Sequence, residues 1–201
     1  MIKLIKCVSI FTIVIFVTGC KGNGQGNCDK WYVEANSSLN DYYLDNDEAN
    51  LKLSMAIIEK GYNLCPDFES RFVDLKITLL LLMKEYERGY SFIDSLEESS
   101  FEPCYKKALY LKTFKALSLE KKGDIAGRDG HFEELVGEIE DYISSNPSSE
   151  EAIADLFYTK LKFEEKEKVI REIELMQSSS HIDDKEFLNA LKESIKAAPT
   201  M

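Results

Sequence analysis

Apolar residues recur at three- and four-residue steps from Cys28 to Ile195, and over no length of the chain do they alternate with period two. That spacing draws one apolar stripe down the side of a helix and gives nothing that reads as a half-buried strand. The chain is therefore expected to be all-α. Abundant Glu, Lys, Leu and Ala favour the same outcome, and the four prolines and ten glycines, mostly in an N-terminal polar stretch and at a few punctuation points, leave long stretches free for helix.

Trp31, Tyr32, Ala35, Leu39, Tyr42 and Tyr43 mark a first helix over about 28–44, and Leu51, Leu53, Ser54, Ile57, Ile58 and Gly61 a second over about 48–64. The second should stop at Cys65-Pro66, because a residue before proline is disfavoured in helical geometry. A third runs from Glu69 through Phe72, Leu75 and Ile77 to Met83. Its Leu79–Met83 run is too short for a membrane and is flanked by charge, so it reads as a helix buried from two sides. Tyr86, Gly89, Tyr90, Ile93 and Leu96 line a fourth. Pro103 is placed in the first turn of a fifth, which ends at Lys121-Lys122-Gly123. Asp124 opens a sixth that lasts to Asn146-Pro147, and Ser148 or Ser149 caps a seventh. An eighth starts near Glu165, and Asp183 or Asp184 opens a last helix carrying Phe187, Leu188, Leu191 and Ile195.

Eight of these helices fall into four pairs, with breaks at Pro66, at Ser99–Pro103 and at Pro147, 37 and 44 residues apart. Pairs at such intervals point to an array in which each packs on the next, with an irregular helical bundle as the alternative. Tyr86-Glu87-Arg88-Gly89 followed by Ile93 and Leu96 resembles the turn pattern of tetratricopeptide repeats (TPR). So do Ala116, Leu119 and Gly123-Asp124, and Ser54, Ile58, Gly61 and Pro66. Small residues in that pattern admit a neighbouring helix and large ones fill the space between pairs. The resemblance covers about residues 46–177 and lacks the family's Trp and most of its Ala. It implies antiparallel helical hairpins stacked as a short TPR-like solenoid of eight or nine helices.

The first twenty residues have another character. Lys3 and Lys6 precede an apolar run, Val8–Val17, which ends at Val17-Thr18-Gly19-Cys20. A charged start, a short apolar core and small residues at the break are the parts of a secretory signal. The last four residues resemble the lipobox of bacterial lipoproteins, which implies cleavage before Cys20, acylation (palmitate) of that cysteine, and anchorage in the cell envelope. Residues 1–19 are read as signal peptide, 20–27 as lipidated Cys and polar, glycine-rich tether, and 28–198 as the helical domain. Lys21, not Asp, after the cysteine resembles the pattern that sends lipoproteins to the outer membrane of some Gram-negative bacteria, facing periplasm or surface.

Losing residues 1–19 removes Lys3 and Lys6 and no acid, so the formal charge of −11 becomes −13. Such a surface excludes nucleic acid, whose phosphates need Lys and Arg, and leaves membrane attachment to the lipid. It favours solubility and a basic protein partner, with an acidic solvated face that binds nothing as the alternative.

Of five cysteines, Cys28, Cys65 and Cys104 remain in the domain beyond Cys20. If the first two helices form an antiparallel hairpin, its geometry brings Cys28 beside Cys65 as a disulfide pair; three buried thiols are the alternative. His131 and His181 stand alone and there is no CxxC, so no metal or cofactor is expected. Asp45-Asn46-Asp47 begins like a calcium loop but lacks its glycine and closing glutamate.

The adjacent pairs Glu97-Glu98, Glu133-Glu134, Glu150-Glu151 and Glu164-Glu165 point to different sides of a helix and read as solvated faces. No nucleophile, zinc or phosphate-loop motif occurs, and the chain is not expected to be an enzyme. In a helical array the first helix of each pair lines the concave wall. That places Arg71, Asp74 and Thr78 beside Tyr110, Thr113 and Leu117 as a partner-binding groove. The expected role is protein–protein interaction in envelope assembly or scaffolding, with an immunity lipoprotein that neutralises a toxin as the alternative. A glycan-binding or catalytic lipoprotein would instead require Tyr32, Tyr42, Tyr43 and Tyr62 to cluster in one pocket.

Overall fold

The computed structural model describes residues 24–65, 69–179 and 185–198. The expected signal peptide, Cys20 and Pro66 lie outside them. Nine helices occur among the described residues: α1 (Gly24–Asp45), α2 (Glu48–Leu64), α3 (Glu69–Leu82), α4 (Tyr86–Asp94), α5 (Tyr105–Lys121), α6 (Ile125–Ser145), α7 (Glu150–Lys160), α8 (Lys166–Ser179) and α9 (Lys185–Ala197). No strand is present among those residues.

Short polar side chains set several of the starts. Asp47 accepts from the Ala49 amide at 2.9 Å, Asp124 from Gly127 at 2.9 Å and Ser149 from Ala152 at 3.3 Å. Each satisfies an amide that a helix leaves unpaired in its first turn. Three of the turns within pairs pass through one left-handed residue: Asn46 (φ 56°), Lys84 (φ 55°) and Gly123 (φ 81°). These positions stand 38 and 39 residues apart. A further step of 39 residues lands on Lys162, in the α7–α8 turn.

Packing follows chain order. α1 lies on α2, α2 on α3, α4 on α5, α5 on α6, α6 on α7 and α8 on α9, while α1 also meets α3 and α7 meets α9. The core is divided accordingly. One cluster joins α1 to α5 around Ile58, Phe72, Leu79 and Phe114; a second joins α5 to α7 around Phe132, Leu135 and Ile139; a third joins α7 to α9 around Phe157, Val169 and Ile195. Each unit thus buries its apolar stripe on its neighbours, as a repeat array requires. α3 carries the heaviest burden: Phe72, Val73, Leu75, Ile77, Leu79 and Leu80 are all buried, which explains its apolar run.

Close approach explains the small residues. A Cβ on Gly89 would stand 2.1 Å from the Phe114 ring, and one on Gly61 2.7 Å from the Phe72 ring. Cys28 and Cys65, at the open end of the α1–α2 hairpin, are joined by a disulfide with Cα atoms 5.9 Å apart, and Cys104 is an exposed free thiol.

The structure corrects four details. Gly24–Asn27, expected as coil, form the first turn of α1, which runs on because helix propagation is far easier than nucleation. Pro103 lies before α5, not in it, with Cys104 at the cap position and the Glu102–Pro103 bond cis. α4 ends at Asp94, and Leu96 is buried from the following turn. Tyr43 and Tyr90, counted as inward, are 57% and 36% exposed, since a tyrosine at the edge of a stripe keeps its polar tip in water.

Candidate functional site

Side chains link the odd-numbered helices α1 to α3, α5 to α7 and α7 to α9, and α3 and α5 line one cleft. Arg71 of α3 donates to Asp29 of α1 at 3.2 Å and lies over the Tyr32 ring, 4.0 Å from its centroid. Lys106 of α5 reaches two carboxylates of α7, Asp155 at 2.6 Å and Glu151 at 2.8 Å. Tyr105, beside it, donates its hydroxyl to the same Asp155 at 2.7 Å. Tyr158 of α7 meets Ser194 of α9 at 2.8 Å.

Between α3, α5 and α7, under the 3-10 turn Glu98–Ser100, lies a cleft of about 330 Å³. Asp74, Ser99, Ser100, Phe101, Glu102, Lys106, Tyr110 and Glu151 line it. Phe101 is buried and tilts against Tyr110, their centroids 6.1 Å apart, so one wall is aromatic. The Asp74 carboxylate and the Tyr110 hydroxyl have no hydrogen-bond or ion-pair partner among the described residues.

Protein crowding around the Asp74 carboxyl raises its pKa above the ordinary Asp value; the Lys106 charge opposes this and Glu151 adds to it. Burial pulls Lys106 down, but hydrogen bonds and charge from Asp155 and Glu151 outweigh it and hold the ammonium above the usual lysine range. Burial, then the bond to Asp155, raises the Tyr105 hydroxyl well above the phenol range. Burial also raises Tyr110, against the charge of Lys106. The lysine is thus a cross-link between α5 and α7, and the free acidity of the cleft belongs to Asp74 and the rim.

Of the six groove residues named from sequence, the cleft brings together Asp74 and Tyr110. Arg71, one turn earlier on α3, is turned to α1. Thr78 donates to the Asp74 carbonyl at 3.0 Å, and Thr113 and Leu117 are half-buried further along α5, outside the cleft lining. Helical spacing does not single out Lys106, Phe101, Glu102 or Asp155 for the cleft. A signal for Lys106 was present: Lys106-Lys107 stands in the first turn of a helix, where the dipole disfavours cations unless external acids compensate. Glu151, which reads in sequence as half of a solvated pair, has the lysine on α5 as its partner.

A second depression, also about 330 Å³, lies at the other end of the first two units, with Tyr42, Leu51, Leu82 and Met83 among its walls. The four tyrosines of a glycan pocket do not converge. Tyr32 sits under Arg71, Tyr62 packs edge-on against Phe92, and Tyr42 pairs with exposed Tyr43 near the far end of α1. Among the described residues no group of three or more His, Cys, Asp or Glu is placed to hold a metal ion, and no helix is long and apolar enough to cross a membrane. No protein-family model matches the chain, and neither a curated protein nor a solved structure resembles it at a significant level.

Proposed function

We propose that this chain is an acylated envelope lipoprotein that holds another polypeptide along the row of its odd-numbered helices, as an assembly or scaffolding module that binds without transforming its partner. The observation that carries the reading is the cleft at the junction of three units, which offers an aromatic wall, an unpaired carboxylate and an unpaired hydroxyl on one continuous face. A helical array gains its binding surface from such a face. The Cys28–Cys65 disulfide supports an oxidising compartment, in keeping with the lipobox-like start. The acidic balance of the chain favours a basic partner.

Labelled palmitate tests the address: it should enter the parent and not a Cys20→Ser variant. Affinity capture of the lipidated chain from membranes tests the groove. One polypeptide should accompany the parent and a Glu133→Lys variant on α6, and should be lost from Asp74→Lys. Equal retention by both variants would sink the reading.

A further inference from the structure

We infer that the cleft between α3, α5 and α7 is a receptor for an arginine side chain of the bound polypeptide. This rests on the reading of the odd-helix row as a protein-binding face and names the chemistry it recognises.

The fold displays the relevant arrangement one groove away. There a guanidinium, that of Arg71, lies over the Tyr32 ring and pairs with the Asp29 carboxylate. Both contacts suit a planar, weakly hydrated cation, and together they are more selective than either alone. The α3–α5–α7 cleft repeats two of the three components, an aromatic wall of Phe101 and Tyr110 and a carboxylate, Asp74, that no described residue engages. The one cation of its lining, Lys106, is held by Asp155 and Glu151.

Charge points the same way. Asp74, Glu102 and Glu151 face the cleft against one lysine, so an entering anion meets repulsion and an entering cation does not. The Asp74 carboxylate lines the cleft and is reached from it, so an incoming guanidinium can meet it with two parallel bonds. At about 330 Å³ the space is at the lower limit for a ligand pocket, which fits one long side chain and excludes a folded element. A flexible ammonium fills the same space with less contact to the rings.

The test uses four soluble peptides of one sequence, glycine and serine on either side of a central arginine, lysine, citrulline or glutamate. They are titrated into the full chain with its disulfide intact, and followed by amide NMR shifts. The arginine peptide should move the resonances of Asp74, Phe101 and Tyr110. Citrulline, which keeps the shape and loses the charge, should bind about tenfold more weakly, and lysine should fall between. Asp74→Asn and Glu102→Gln should each weaken the arginine peptide several-fold, with Glu150→Gln, beside Glu151 in sequence but exposed and outside the cleft lining, as the control. Tyr110→Phe keeps the ring and should cost less than Asp74→Asn. Equal binding of arginine and citrulline peptides, preference for glutamate, or shifts confined to other surfaces would overturn the inference. A partner captured on the row but indifferent to Asp74→Asn would overturn it too, and would leave the broader reading standing.

Discussion

Gly89 shows how much one missing atom decides. Its position in the turn pattern Tyr86-Glu87-Arg88-Gly89 is legible in the sequence as a place for a small residue, but the reason is not: the Phe114 ring lies where a Cβ would go. Phe114 is fully buried and packs across from α5, so it has little room to retreat. Gly89→Ala should lose about 1–3 kcal/mol in chemical denaturation despite the better helix propensity of alanine. A gain in stability would show that the α4–α5 contact is looser than described. Asp74 gives a prediction with a sign. Its folded pKa is raised, so its stabilising contribution is complete below the unfolded value of 3.8 and is lost as pH rises through the folded value. Asp74→Asn should therefore match the parent at low pH and exceed its stability at neutral pH. Denaturation curves at both pH values check this, and a variant weaker than the parent at neutral pH would contradict it. That Asp74 and Tyr110 share a cleft was within reach of helical spacing. That Arg71 turns to Tyr32 was not, because a cation–aromatic contact between units depends on where the first helix lies.

At the scale of elements, caps and turns were more legible than lengths. Asp47, Asp124 and Ser149 hold the roles their residue types suggest, each with one backbone amide. Ser149→Ala should cost about 1 kcal/mol and fray the start of α7 first, which amide exchange can report. The prolines were poor rulers of the repeat, because Pro103 stands outside α5 and the segment between α4 and α5 is irregular. The better ruler is the left-handed residue of each tight turn, at Asn46, Lys84 and Gly123. Only the last is a glycine, so residue type alone conceals the other two. The disulfide acts on the first hairpin as a whole. Closing a loop across a sequence separation of 37 restricts the unfolded chain, and a Cys28→Ala, Cys65→Ala double variant should lose about 3–4 kcal/mol. The loss should be largest in the α1–α3 region.

Across the whole molecule, nearest-neighbour packing and a core in three linked clusters make the stack a one-dimensional object. Apolar periodicity requires that each stripe be covered but is satisfied by a stack or an irregular bundle alike; the stack is seen in packing that follows chain order, with α1 on α3 and α7 on α9 besides. What periodicity could not supply is the polar stitching of the odd-helix row, since Lys106 with Glu151 and Asp155 is a relation between units more than forty residues apart. The row is also where the functional account stands. It is tested most directly by placing a photo-crosslinking residue, in cells, at Glu102 or Thr113 on the row and at Glu133 or Lys122 away from it. The account predicts one discrete adduct from the first two positions, found in the membrane fraction and absent when Cys20 is serine. Adducts of equal yield from Glu133 and Lys122, or none from the row while the chain is folded and lipidated, would contradict it.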